Sequence, residues 1–72
     1  MSIKLNPNSF TDISIGSCTI SSETTNTDLV SIYEEDKFIV DSYLNTPITI
    51  LTDVGLKAKT HSKDITINVE EL

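Results

Sequence analysis

The fold is decided by an alternating stretch near the end of the chain, Ile65-Thr66-Ile67-Asn68-Val69. Because successive side chains of a strand point to opposite faces, a period of two places its aliphatic residues on one side. A second stretch, Pro47-Ile48-Thr49-Ile50, repeats the pattern. Both stretches therefore predict strands with one buried face and one exposed face.

The composition of the whole chain also favours sheet over helix. Ser, Thr, Asn and Ile dominate, and Ala, the best helix former, occurs only at Ala58. We expect an all-β fold in which residues 1–72 form a single small β domain. Its architecture should be an antiparallel meander of about five to seven short strands, closing into an open barrel or sandwich. Exposed edges of such a sheet invite pairing with another chain.

The first part of the chain contains further strand and turn signals. Residues 2–6 alternate and predict a strand, which ends at the turn sequence Asn6-Pro7-Asn8-Ser9. Residues 12–20 alternate with Ile15 on the inward face, but the phase slips by one residue at Gly16-Ser17. One extra residue beside a glycine is typical of a β-bulge. The polar residues 21–27 predict a loop.

The segment 28–44 has two interpretations. As a helix it would carry an apolar stripe on one side, but Asp36 would fall on that stripe. As a hairpin, Leu29–Tyr33 would pair with Phe38–Tyr43 across the acidic loop Glu34-Glu35-Asp36-Lys37. We favour the hairpin because its flanks are rich in Val, Ile, Tyr and Phe.

Two more hairpins are predicted after residue 46. Ile48–Thr52 and Leu56–Thr60 flank Asp53-Val54-Gly55, in which Gly55 would take the left-handed conformation that closes a three-residue loop. The strand Leu56–Thr60 would then pair with Ile65–Val69. In this meander the aliphatic residues share one face.

The size and the cysteine content predict that the protein needs a partner. A chain of 72 residues buries a core that supplies roughly 3–5 kcal/mol. Cys18 is the only cysteine and His61 the only histidine, which excludes an internal disulfide and a structural zinc site. We expect no cofactor and no metal. Either the small core is unusually well packed or association with protein completes the structure. We favour association, as a homo-oligomer or as a subunit of a complex.

The charge balance argues against other kinds of partner. The chain has five lysines and eleven Asp and Glu residues, which gives a net charge of −6. The electrostatic field of the protein therefore repels nucleic acid. The longest apolar run, Phe38-Ile39-Val40, is far too short to span a membrane. The unpaired cysteine and the lack of an export signal favour the cytoplasm, that of an infected host included, or a virion.

No group of residues predicts catalysis. Cys18 stands where a strand pattern requires an aliphatic residue, so we expect a buried and inert thiol rather than a partner for His61. His61, Ser62 and Asp64 are neighbours in a predicted turn, whereas members of a catalytic triad come from separate elements. We therefore expect no enzyme activity.

A protein interface is the remaining candidate for a functional site. The acidic tip of the predicted hairpin is flanked by two tyrosines, and Leu51 falls on the polar side of its strand. The candidate interface residues are Tyr33, Glu34, Glu35, Asp36, Tyr43 and Leu51. We expect a non-enzymatic structural or assembly protein, most concretely a small virion component of the capsid-decorating or tail type. The alternative is a small acidic inhibitor or regulator that occupies a basic surface of a target protein.

Overall fold

The computed structural model describes residues 1–72 and contains eight short strands and no helix. The strands form two four-stranded antiparallel sheets, ordered β1-β8-β3-β6 and β2-β7-β4-β5. The predicted all-β class is confirmed, and the architecture is a small open sandwich. The strand bounds are β1 (Ser2–Leu5), β2 (Thr11–Ser14), β3 (Cys18–Ser22), β4 (Val30–Glu34), β5 (Lys37–Ser42), β6 (Ile48–Ile50), β7 (Leu56–Thr60) and β8 (Ile65–Glu71).

The core lies between the two sheets. In β8, Ile67 and Val69 are buried while Thr66 is exposed, as the period of two predicts. The other strands contribute in the same way. The buried apolar residues are Leu5, Ile13, Cys18, Ile20, Val30, Ile32, Leu44, Leu56, Ala58, Ile67 and Val69.

Both predicted C-terminal hairpins are wrong in their pairing. β6 pairs with β3, β7 pairs with β2 and β4, and β8 lies between β1 and β3. The strands therefore lie where the sequence places them, but β7 is in the sheet opposite β6 and β8. Alternation specifies which face of a strand is buried and not which strand lies beside it, because either sheet of a sandwich buries the same face.

The predicted left-handed turn at Gly55 is also wrong, since no glycine has a positive φ. The segment before Gly55 crosses from the first sheet to the second instead of closing a hairpin. A Cβ atom at Gly55 would lie 3.3 Å from the carbonyl oxygen of Ser14. Glycine therefore lets the start of β7 approach the end of β2 closely.

The phase slip at Gly16-Ser17 is a crossing between sheets and not the predicted bulge. β2 ends in the second sheet and β3 begins in the first, so Ile15 lies on the connection. A register shift does occur nearby, between Asp12 and Ser14 in the pairing of β2 with β7. The slip in the alternation marks the point where the chain changes sheets, because the inward direction reverses there.

The segment 28–44 forms the predicted hairpin and not a helix. Its loop has two residues rather than four, because Glu34 pairs with Lys37. Glu35 has a φ of 55°, a backbone conformation that is uncommon for a residue with a side chain. A register shift between Ile32 and Tyr33 shows that β5 carries a bulge.

The predicted loop 21–27 is shorter than expected, because β3 continues to Ser22. Asn26 and Asp28, on either side of its end, are buried. The Asp28 carboxylate accepts hydrogen bonds from the backbone N–H groups of residues 61–63, at 2.9 to 3.3 Å. These bonds, with one from the Ser62 hydroxyl, lower the pKa of Asp28 to about 2.

Candidate protein-binding site

The surface has two strongly exposed aliphatic side chains on neighbouring segments of the backbone. Ile15 is 85% exposed and Leu51 is 77% exposed. Their segments are fastened together, because the Ser17 hydroxyl donates to the Thr52 carbonyl oxygen at 2.9 Å and accepts from the Thr52 N–H at 2.8 Å. The two apolar side chains therefore project from backbone that is held in place. We call this part of the molecule the apolar end.

Carboxylates flank the apolar end. Glu71 accepts a hydrogen bond from the backbone N–H of Ile15 at 2.8 Å. Glu34 accepts one from the Thr52 hydroxyl at 2.9 Å. The second bond also brings the acidic tip of the β4–β5 hairpin to the same end of the sandwich. The exposed aliphatic side chains and these carboxylates therefore lie at the same end of the sandwich.

Four of the six residues predicted from sequence lie together at this end. They are Glu34, Glu35, Asp36 and Leu51. Tyr33 lies instead on the outer face of the second sheet, where its ring meets that of Phe10 edge to face, with 4.9 Å between centroids. Tyr43 follows β5, at the open end of the hairpin. The two tyrosines therefore do not flank the acidic tip together.

Ile15 is the member of the apolar end that sequence reasoning missed. Its aliphatic side chain fits the alternation of residues 12–20, so the pattern places it in the core. In the structure the chain leaves the second sheet after Ser14, and Ile15 faces solvent. The phase slip at Gly16-Ser17 was the available signal, because a residue next to a crossing is released from the alternation.

Three neighbouring residues have the side-chain types of a catalytic triad, His61, Ser62 and Asp64, but each has a different partner. The Ser62 hydroxyl donates to Asp28 at 2.7 Å, and Asp64 forms an exposed ion pair with Lys4. His61 instead contacts the hydroxyl of Ser31 through Nε2, at 2.7 Å. The turn 61–64 therefore wraps Asp28, which supports the prediction that these residues form a turn and not a catalytic triad.

The predicted burial of Cys18 is confirmed. Its thiol lies in the core at the start of β3, and desolvation raises its pKa. A raised pKa lowers the fraction of the reactive thiolate at neutral pH. No three His, Cys, Asp or Glu side chains lie close enough together to hold a metal ion.

Comparisons with known proteins give no relative from which a function could be taken. Protein-family models, curated proteins and solved structures all fail to match the chain. The structure has no helix of the length and apolar character needed to cross a membrane.

Proposed function

We propose that this protein is a non-enzymatic subunit of a larger assembly and binds a partner protein through the apolar end. The exposure of Ile15 and Leu51 carries the proposal. Burial of such a side chain is worth roughly 1.5–3 kcal/mol. Because the segments are already fastened by the Ser17–Thr52 hydrogen bonds, little backbone ordering opposes that gain on binding.

The carboxylates at the apolar end indicate the charge of the partner's surface. Glu71 and Glu34 bond to Ile15 and Thr52 at the apolar end, and the net charge of the chain is −6. Two copies that met through this end would bring like charges together, which is unfavourable. A surface with an apolar centre and a Lys- or Arg-rich rim fits better, so we propose a different, basic protein rather than a second copy.

The edge strands of both sheets are poorly suited to pair with a strand of another protein, which favours binding through the apolar end. The edge strands of the first sheet, β1 and β6, have only four and three residues. Those of the second sheet, β2 and β5, both carry register shifts. Short or bulged edges are poor templates for a further strand. The edge pairing expected from the sequence is therefore not the favoured mode.

A small virion component remains the concrete form of assembly that we propose. The acidic inhibitor is the second candidate, because Glu34 connects the acidic hairpin tip to the apolar end. An inhibitor that relies on long-range attraction should associate more slowly at low salt when Glu34, Glu35 and Asp36 become amides, by about tenfold or more. An assembly contact that relies mainly on the aliphatic side chains should lose much more affinity with Leu51→Asp than with these three amides.

The test uses the substitution Leu51→Asp in the full chain. The folded protein is used as bait in extracts of the producing cell, and bound proteins are identified by mass spectrometry. We expect a basic partner whose affinity falls by about tenfold or more with Leu51→Asp, because the new charge would be buried unpaired. The melting temperature should not change, since Leu51 is exposed.

The matched control is Thr25→Asp, which adds the same charge to an exposed residue of the loop between β3 and β4, at the opposite end. It should retain the partner. The proposal fails if both variants bind alike. Light scattering on the isolated protein should show a monomer. An oligomer that dissociates with Leu51→Asp would mean that the occupant is a second copy.

A further inference from the structure

A cleft on the outer face of the second sheet lies apart from the apolar end. It has a volume of about 360 Å³. Strands β4, β5 and β7 and the turn after β7 supply its main lining residues, Ser31, Tyr33, Phe38, Asp41, Lys59 and His61. The cleft combines aromatic rings with hydrogen-bonding groups, a composition typical of sites for small polar molecules.

The polar side chains of the cleft orient one another. The buried Ser31 hydroxyl donates to Asp41 Oδ1 at 2.5 Å and lies 2.7 Å from Nε2 of His61. Because its single proton is used on Asp41, the Ser31 oxygen accepts from Nε2–H of His61. In a hydrolase triad the serine proton goes to the histidine instead. The arrangement is therefore a preorganised polar network and not a nucleophile with its base.

The aromatic side of the cleft presents an accessible ring. Phe38 is 50% exposed, and its centroid lies 5.6 Å from that of Tyr33 with the rings at 73°. Phe10 packs against Tyr33 from another side. These edge-to-face contacts hold Tyr33 in place and leave ring surface of Phe38 open to solvent.

Lys59 and Asp41 give the cleft one charge of each sign, and Nε2 of His61 lies 3.8 Å from Asp41 Oδ1. The net charge of −6 opposes an anionic ligand. A neutral ring with one apolar face and several hydroxyls matches this environment, because each hydroxyl both donates and accepts.

We propose that this cleft binds a neutral saccharide. One face of a sugar ring packs on Phe38, and its hydroxyls bond to Asp41, Lys59 and His61. The Ser31 hydroxyl is a positioning group, because its own bonds to Asp41 and His61 are already made. The proposal does not rest on the function proposed for the apolar end, and Leu51→Asp should leave saccharide binding unchanged.

The test is a titration of the full chain followed by backbone amide chemical shifts. The probes are short neutral oligosaccharides of glucose, xylose, mannose and galactose, an anionic oligomer of galacturonic acid, and oligodeoxythymidine. We expect at least one neutral saccharide, at concentrations up to about 10 mM, to shift amides of β4, β5 and β7 around the cleft. Phe38→Ala should weaken that binding by about tenfold or more.

The matched control is Tyr43→Ala, which removes an aromatic ring of similar exposure, 48%, outside the cleft. It should bind as the unchanged protein does. The proposal is overturned if no neutral saccharide shifts the cleft amides, or if Phe38→Ala and Tyr43→Ala weaken binding equally. Binding of galacturonic acid oligomers or oligodeoxythymidine in place of the neutral saccharides would also overturn it.

Discussion

At the scale of single residues, Asp28 and Asn26 form a buried polar cluster that joins three loops. The Asn26 side chain donates to the carbonyl oxygens of Asp28 and Tyr43, at 2.7 and 2.9 Å, and accepts from the Asp28 N–H at 2.9 Å. Asp28 in turn binds the N–H groups of residues 61–63. Buried polar groups that are fully hydrogen-bonded hold loops in one arrangement. This cluster positions His61 at the edge of the saccharide cleft.

The Asp28 carboxylate should make stability depend on pH. Its pKa in the folded protein is about 2, against an ordinary value of 3.8. Because this pKa is lowered, the Asp28 carboxylate contributes fully to the free energy of unfolding above about pH 5. The contribution is lost as the pH falls toward 2. Asp28→Asn removes the charge, so we expect the stability difference between the two proteins to shrink over that range. Urea denaturation at several pH values measures it.

A difference that stays constant from pH 7 to about pH 2 would contradict this account. The control is Asp64→Asn, a substitution in the turn 61–64 that Asp28 binds. Its carboxylate is exposed and pairs only with Lys4. Exposed ion pairs contribute little to stability, so this variant should follow the unchanged protein across the range.

At the scale of elements, the β4–β5 hairpin closes with a turn that is unfavourable for its sequence. Two-residue hairpin loops prefer glycine or asparagine where φ is positive. Here that position is Glu35, with a φ of 55°. The turn nevertheless places the acidic tip at the apolar end, where Glu34 bonds to Thr52. Backbone strain of this kind is found where the surrounding structure requires it.

Replacement of Glu35 by glycine should stabilise the protein. Left-handed backbone costs a residue with a side chain roughly 1–2 kcal/mol, and the extra freedom of glycine in the unfolded chain offsets part of that gain. We expect a net increase of about 0.5–1 kcal/mol in the free energy of unfolding, measured by urea denaturation. Asp36→Gly is the control, because Asp36 has no positive φ. It should not stabilise, and equal gains from both would refute the explanation.

At the scale of the whole molecule, stability depends on strands that are distant in sequence. β8 lies in the middle of the first sheet and pairs with β1 and β3. Residues of the second sheet, such as Ile32 and Ala58, cover the same core. Neither sheet can bury its apolar face without the other, so the sandwich should fold as one cooperative unit.

Ile67→Ala should therefore destabilise the entire molecule. Ile67 is fully buried on β8, and removal of such a side chain costs about 2–5 kcal/mol. In a domain of this size that loss is enough to unfold most of the protein, as circular dichroism would show. Ile15→Ala makes the same chemical change at an exposed position and should leave the melting temperature unchanged. Equal melting temperatures for the two variants would contradict the assignment of Ile67 to the core.

The sequence by itself determined the all-β class, the positions of most strands and the burial of Cys18, and it favoured the hairpin within residues 28–44 over a helix. These features follow from local alternation and residue preference, which act within a few neighbouring positions. It also identified Leu51 and the acidic tip as surface features, but it placed Ile15 in the core.

Only the tertiary structure decided which strands pair, where the chain changes sheets and which side chains meet. Ser31 meets Asp41 across ten positions of sequence and His61 across thirty. Similarly, Leu51 reaches the apolar end because Ser17 bonds to Thr52. A pattern with a period of two is the same for every possible neighbour of a strand. The choice of neighbour depends on burying the inner faces of both sheets at once, a condition that no local stretch of sequence contains.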